Sequence, residues 1–152
     1  MSDYPHSPDA HSPTDLEAEV LIIGTGIAGA TVALTLADAG IPVTLVTRAL
    51  APEESSTLYA QGGIIYTGPG DSPAQLVEDV LRAGAGHSFP PAAQILAEEG
   101  PSAVRRLLLE RAGIEFDRTP DGDLSLALEG GHSLPRIIHA ADATGQAIEI
   151  GL

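Results

Sequence analysis

An α/β fold organised around one βαβ unit is predicted by three observations in this chain of 152 residues. The apolar run Val20-Leu21-Ile22-Ile23 leads straight into Gly24-Thr25-Gly26-Ile27-Ala28-Gly29. A small-residue helical stretch over 27–39 leaves that turn, and a second apolar run, 43–47, follows it. Strand, glycine turn, helix and strand at this spacing close a right-handed parallel unit, because a twisted strand feeding a right-handed helix packs back onto the sheet in only one hand.

Taken in order, residues 1–18 are rich in Pro, Ser, Asp and His, bury nothing apolar, and are expected to form a disordered tail. His6 and His11 fall in this polar arm and read as solvated side chains rather than metal ligands. The first strand covers 19–23, the helix ends at Ala39, and Gly40 stands where a left-handed residue closes a helix. Pro42 precedes the second strand, where its missing N–H costs no ladder bond. Residues 51–70 read as a long Gly/Ser/Pro loop with a short strand at 64–66, and loops of that length are more often functional than idle. Helices are expected at 73–83, 90–99 and 101–112, each with a proline in its first turn. Leu76, Val80 and Leu81, and Val104, Leu107 and Leu108, recur at helical spacing as their packing faces. A hairpin over 113–128 turning at Pro120-Asp121-Gly122, a strand at 136–140, and a helix from about Gly145 capped by Asp142 or Thr144 complete the chain.

Composition removes several classes of function. A formal net charge of −14 repels nucleic acid and anionic membrane surfaces, so no polyanion partner is expected. With 0 cysteines there is no disulfide framework, no thiolate nucleophile and no cysteine-ligated cluster. No apolar stretch reaches membrane-spanning length and the N-terminus carries no signal-peptide pattern, which points to a cytoplasmic protein with no membrane partner. No histidine and carboxylate set has metal-ligand spacing.

The first motif has a mechanical reading. Gly24 allows the tight turn, Gly26 lets backbone N–H groups approach a pyrophosphate, and Gly29 lets helix and strand pack closely. Thr25, Ile27 and Ala28 lie in the same phosphate turn, at the positive end of the helix dipole. The acid that usually meets the ribose hydroxyls, about 20 residues on, is missing, and Thr47-Arg48 stands there. By spacing alone Arg48 is open to two readings, a contact to a 2′-phosphate or a solvated strand-end arginine.

A second string, Ser55-Ser56-Thr57-Leu58-Tyr59-Ala60-Gln61-Gly62-Gly63, is joined by Glu129-Gly130-Gly131-His132-Ser133 and by His139-Ala140-Ala141-Asp142-Ala143-Thr144-Gly145. Together the three resemble the N-terminal part of the L-aspartate oxidases, the amine-oxidising branch of the succinate dehydrogenase/fumarate reductase flavoprotein family. The resemblance runs from about Glu19 to Leu152. It implies a Rossmann-like FAD-binding domain, a parallel sheet with helices over 19–152 that is incomplete on its C-terminal side, with the family's capping and helical domains absent. It implies that Ser56, Thr57, Leu58, Tyr59, Ala60, Gln61, Gly62 and Gly63 wrap the flavin and pyrophosphate, and that Arg48 meets the adenosine half of FAD. Succinate dehydrogenases carry a flavin-linked histidine where this chain has Ser56, so the FAD is expected to be non-covalent.

By the same resemblance Glu129 faces the α-ammonium group of L-aspartate, and the reaction is oxidation to iminosuccinate, the first step of de novo NAD biosynthesis, with oxygen or fumarate as acceptor. The family's catalytic base and carboxylate clamps lie beyond this region, so no catalytic acid or base is assigned and the fragment alone is expected to be inactive. His132 and His139 are expected to bond loop backbone, and Thr144 and Gly145 to lie near the cofactor. Two rivals remain open, a fumarate reductase or succinate dehydrogenase type of flavoprotein and a non-catalytic nucleotide-binding fragment.

Overall fold

The computed structural model describes residues 17–152. The tail expected over 1–18, with His6 and His11, lies outside the described residues except for Glu17 and Ala18, which are exposed coil.

Strand β1 (Val20–Ile23), helix α1 (Ile27–Asp38) and strand β2 (Val43–Val46) form the expected unit. The strands pair in parallel from Val20 opposite Val43 to Ile23 opposite Val46. Ala30 and Ala33 are the buried face of α1, so small side chains let the helix lie close to the sheet. The chain leaves α1 through Gly40 at φ +72°, a left-handed conformation that glycine adopts without a steric penalty.

A second, antiparallel pair joins distant parts of the chain. Strand β3 (Ile64–Ile65) pairs with β4 (Ile137–Ile138), and Tyr66 N extends the pairing by donating to Arg136 O at 2.8 Å. Between these strands run α2 (Pro73–Ala83) and α3 (Pro90–Val104), packed on each other through buried Leu76, Ala93 and Ala97. Helix α2 starts as its sequence dictates: Pro73 stands in the first turn and the Ser72 hydroxyl accepts from Gln75 N at 3.3 Å. The core gathers Tyr66, Val104, Leu108, Ile114, Phe116, Ile138 and Ile148, which fastens α3 and the last helix, α4 (Thr144–Gly151), to the β3–β4 pair.

Three expectations need correction. The helices read at 90–99 and 101–112 are one continuous rod, α3, running into a π-helical segment, Arg105–Arg111. Pro101 sits inside the rod rather than at a new start. Proline removes the N–H that would reach back one turn. The rod widens soon afterwards, and Ala112 N donates to Leu107 O at 2.9 Å, five residues back. The 113–128 hairpin turns as read, with Gly122 at φ +93° and Thr119 N donating to Asp123 O at 2.8 Å, but its arms meet only in the isolated bridge between Arg118 and Leu124. Neither Asp142 nor Thr144 caps α4. The cap position is Ala143, and Thr144 opens the helix while its hydroxyl accepts from Ala140 N at 3.0 Å.

Candidate functional site

An open cleft of about 760 Å³ lies at the end of the β1–β2 pair, lined by residues 23–29, 46–48, 54–57 and 59. Its floor is the glycine turn. Gly24 has φ +102°, which an L side chain rarely adopts, and its N–H donates to Val46 O at 2.8 Å, tying the turn to β2. A Cβ at Gly29 would stand 2.0 Å from Gly24 O, so α1 reaches the turn only because that position has no side chain. At Gly26 a Cβ would meet Thr57 Oγ1 at 3.0 Å.

The opposite wall is the Ser/Thr loop, folded by its own hydroxyls. Ser55 Oγ accepts from Thr57 N at 3.0 Å, and Thr57 Oγ1 accepts from Ile27 N, the first amide of α1, at 3.0 Å. That contact stands in for the side-chain cap that Gly26 cannot supply. Tyr59 donates its phenol to Glu54 Oε1 at 2.5 Å, and the carboxylate raises the phenol above its ordinary pKa. Glu54 was not singled out by the motifs, although its place one residue before the Ser55–Gly63 string was the available signal.

The structure divides the sequence-read residues into groups. Gly24, Thr25, Gly26, Ile27, Ala28, Gly29, Arg48, Ser56, Thr57 and Tyr59 line the one cleft. Leu58, Ala60, Gln61, Gly62 and Gly63 do not. Ala60 O accepts from Gly145 N at 2.8 Å, and a Cβ on Gly145 would stand 2.1 Å from Thr57 O, so the start of α4 packs directly on the loop. Gly63 has a packing reason of its own, since a Cβ there would lie 2.1 Å from Ile137 Cγ2. Gly62 is open on the side of Glu129, whose Oε1 is 3.6 Å from where a Cβ would project.

Glu129 is exposed at the head of a tight loop in which His132 N donates to Glu129 O at 3.2 Å and Gly131 has φ +88°. The two histidines expected to bond loop backbone do otherwise. His132 Nδ1 is 3.1 Å from Arg136 Nη1, and His139 Nδ1 is 2.9 Å from Asp117 Oδ2, because a charged side chain lies within reach of each ring. Among the described residues no three His, Asp or Glu side chains converge as a metal-binding group, and no helix is long and apolar enough to cross a membrane.

Sequence reading missed the wholly buried Arg136 and its partners. Arg136 forks onto Asp71 through Nε and Nη2, both at 2.9 Å, and reaches Asp79 Oδ2 at 2.7 Å. Burial alone would raise the Asp79 carboxyl, but bonds from Ser133 N, Arg136, the Ser133 hydroxyl and Arg82 outweigh it and hold the group well below the usual carboxylate range. The signal available in the sequence was an arginine preceding an apolar strand and an aspartate three residues after Leu76 on the packing face of a helix.

A glycine turn between parallel strands, a helix N-terminus aimed at a cleft and a facing hydroxyl loop define a dinucleotide-binding α/β domain. A family model described as FAD binding domain matches residues 19–152, and the chain belongs to that family. It is similar to the L-aspartate oxidase of Streptomyces coelicolor, 44% identical over 147 residues, which cover 93% of this chain and 25% of the relative. It is also similar to the chloroplastic L-aspartate oxidase 2-b of Nicotiana tabacum, 45% identical over 86% of this chain and 20% of that protein. Among solved structures, the Mycobacterium smegmatis Sdh1 complex matches with a TM-score of 0.78 and 33% identity over 87% of this chain and 22% of its own. E. coli quinol fumarate reductase FrdA matches with a TM-score of 0.77 and 26% identity over 88% and 23%. The chain thus spans a quarter and a fifth of the length of these two L-aspartate oxidases.

The cofactor of this family is FAD, and the cleft fits a dinucleotide on its own geometry. The Thr25 hydroxyl is buried at the turn without a hydrogen-bond partner among the described residues. The side-chain-free positions at Gly26 and Gly29 hold the turn in the shape that exposes backbone N–H groups to a diphosphate.

Proposed function

We propose that the protein is the FAD-binding part of a flavoprotein that oxidises L-aspartate to iminosuccinate, with oxygen or fumarate as electron acceptor, the first step of de novo NAD biosynthesis. The observation that carries this reading is Glu129: an exposed carboxylate, without an ion-pair partner among the described residues, standing 3.6 Å from the Cβ position of Gly62. A glycine-flanked carboxylate beside Gly62, at the end of the flavin-wrapping loop, suits the α-ammonium group of an amino acid, because a charge-assisted hydrogen bond there pairs opposite charges. The similarity to proteins named L-aspartate oxidase supports the same substrate.

Within this chain the work is binding and orientation. Residues 24–29 and the α1 N-terminus hold the diphosphate, with Arg48 on the adenosine side. Ser56, Thr57, Leu58, Tyr59, Ala60, Gln61, Gly62 and Gly63 follow the cofactor towards its flavin end. Bound FAD supplies the two-electron acceptor for the substrate Cα–H. Ser56 offers no imidazole for a covalent link, so the cofactor is held non-covalently.

A fumarate reductase or succinate dehydrogenase reading is favoured by the solved structures that the chain resembles. Substituting Glu129→Gln in the active enzyme separates the two. Loss of one charge-assisted contact is worth roughly 1.5–3 kcal/mol, so kcat/KM for aspartate should fall by about one to two powers of ten. Fumarate has no ammonium group, and its reduction should fall far less. Equal losses on both substrates would remove the amino-acid reading.

A further inference from the structure

Helix α2 turns an acidic side chain towards the protein interior. Asp79 is 2% exposed, and a buried carboxylate persists as an anion only when its oxygens are fully taken. Oδ2 accepts from Ser133 N and Ser133 Oγ, each at 2.8 Å, and from Arg136 Nη1 at 2.7 Å, while Oδ1 accepts from Arg82. The same Arg82 reaches across to Gly131 O at 3.3 Å. Arg136 also donates to both Asp71 carboxylate oxygens and to His132 Nδ1. An arginine nitrogen only donates, so His132 Nδ1 accepts and the ring carries its proton on Nε2.

These contacts converge on one loop. Gly131, His132 and Ser133 are each gripped from α2 or from Arg136, whereas Glu129, at the head of the loop, has its Oε1 3.6 Å from where a Cβ on Gly62 would project and closes the turn to His132. A buried ion network is not an efficient way to stabilise a fold, since apolar packing of equal volume does as well. It does hold a backbone in a single conformation.

We propose that Asp79 and Arg136 are positioning residues that hold the 129–133 loop, and through it place the Glu129 carboxylate at Gly62. The kinetic consequence rests on the ammonium role of Glu129 proposed above; the loop-holding role does not.

The test uses the full chain with Asp79→Asn, which keeps the side-chain shape and removes the charge, and reads amide hydrogen exchange by mass spectrometry. Exchange over 130–133 should accelerate about tenfold or more beyond the acceleration that peptides from β1 and α1 share through the lower global stability. Uniform acceleration of all peptides would make Asp79 a general stabiliser and overturn the proposal. Should Asp79→Asn not fold, Ser133→Ala removes one contact, leaves the Ser133 N–H bond in place, and should accelerate the same peptide by about threefold. Exchange there unchanged from the parent overturns the proposal equally.

In the active enzyme, Asp79→Asn should raise KM for L-aspartate by about tenfold with kcat within about threefold, and should add little to Glu129→Gln in the double variant. Full additivity would show that Asp79 does not act through Glu129. A silent Glu129→Gln with accelerated exchange confined to 130–133 would refute the ammonium reading and leave the positioning role standing, so the two fail separately.

Discussion

One methyl group added at Gly29 should damage the fold, whereas the same methyl at Gly26 should damage ligand binding. The Cβ of Gly29→Ala would stand 2.0 Å from Gly24 O and 3.0 Å from Gly24 C, both backbone atoms of a turn tied to β2 by the bond from Gly24 N to Val46 O. No side-chain rotation relieves that overlap, so α1 must move away from β1. Overpacking of this kind costs about 3 kcal/mol at the upper end of its usual range. The better helix propensity of alanine returns up to about 1 kcal/mol. A net loss of about 2 kcal/mol lowers Tm by roughly 4–8 °C in a chain of this size.

At Gly26 the added Cβ meets Thr57 Oγ1 at 3.0 Å and Ser55 Oγ at 3.4 Å, flexible side chains that can turn aside. The cost to the fold is one hydrogen bond, that of Ile27 N to Thr57, about 0.5–1.5 kcal/mol. The methyl nevertheless occupies the closest approach to the diphosphate, and the FAD dissociation constant should rise about tenfold or more. Thermal melts by circular dichroism and titrations of flavin fluorescence read the two effects. The reasoning is refuted if Gly29→Ala melts with the parent protein, or if Gly26→Ala binds FAD as tightly as the parent.

Two further outcomes follow from the site. Acid precipitation of the FAD-loaded protein should release all of the yellow colour into the supernatant, because Ser56 cannot form the imidazole link; flavin in the pellet would contradict this. The depressed carboxyl of Asp79 stabilises the fold above its unfolded pKa, near 3.9, and that contribution is lost as pH falls towards the lower folded value. Urea midpoints should therefore drop between about pH 5 and pH 2 in the parent and drop less steeply in Asp79→Asn, where no carboxyl remains to titrate.

The βαβ unit was legible because its glycines and its apolar periodicity speak for the same backbone: Gly24 needs a positive φ, Gly29 a bare Cα, Gly40 a left-handed exit. The α3 rod was misread at Pro101, since a proline after Gly100 looks like a helix start, and only packing of Ala97 and Val104 on one continuous face overrides it. At the candidate site, the turn and the Ser/Thr loop could be read locally, whereas the anchoring of Glu129 could not. Arg136 is 57 residues from Asp79 and 65 from Asp71, and the pairing exists only once β4 is laid against β3 and α2 against the loop. Gly63 carries a second constraint that the motif alone did not show, since a Cβ there would lie 2.1 Å from Ile137 Cγ2 once β3 is laid against β4.

The central claim is that FAD lies between the glycine turn and the Ser/Thr loop, with its flavin end towards Gly62 and Glu129. Amide hydrogen exchange of the protein with and without FAD tests it directly. Peptides covering 24–29 and 55–63 should become protected when FAD binds, with α2 and the 113–128 turn unchanged. Protection confined to other segments, with both of these exchanging as in the free protein, would contradict the account.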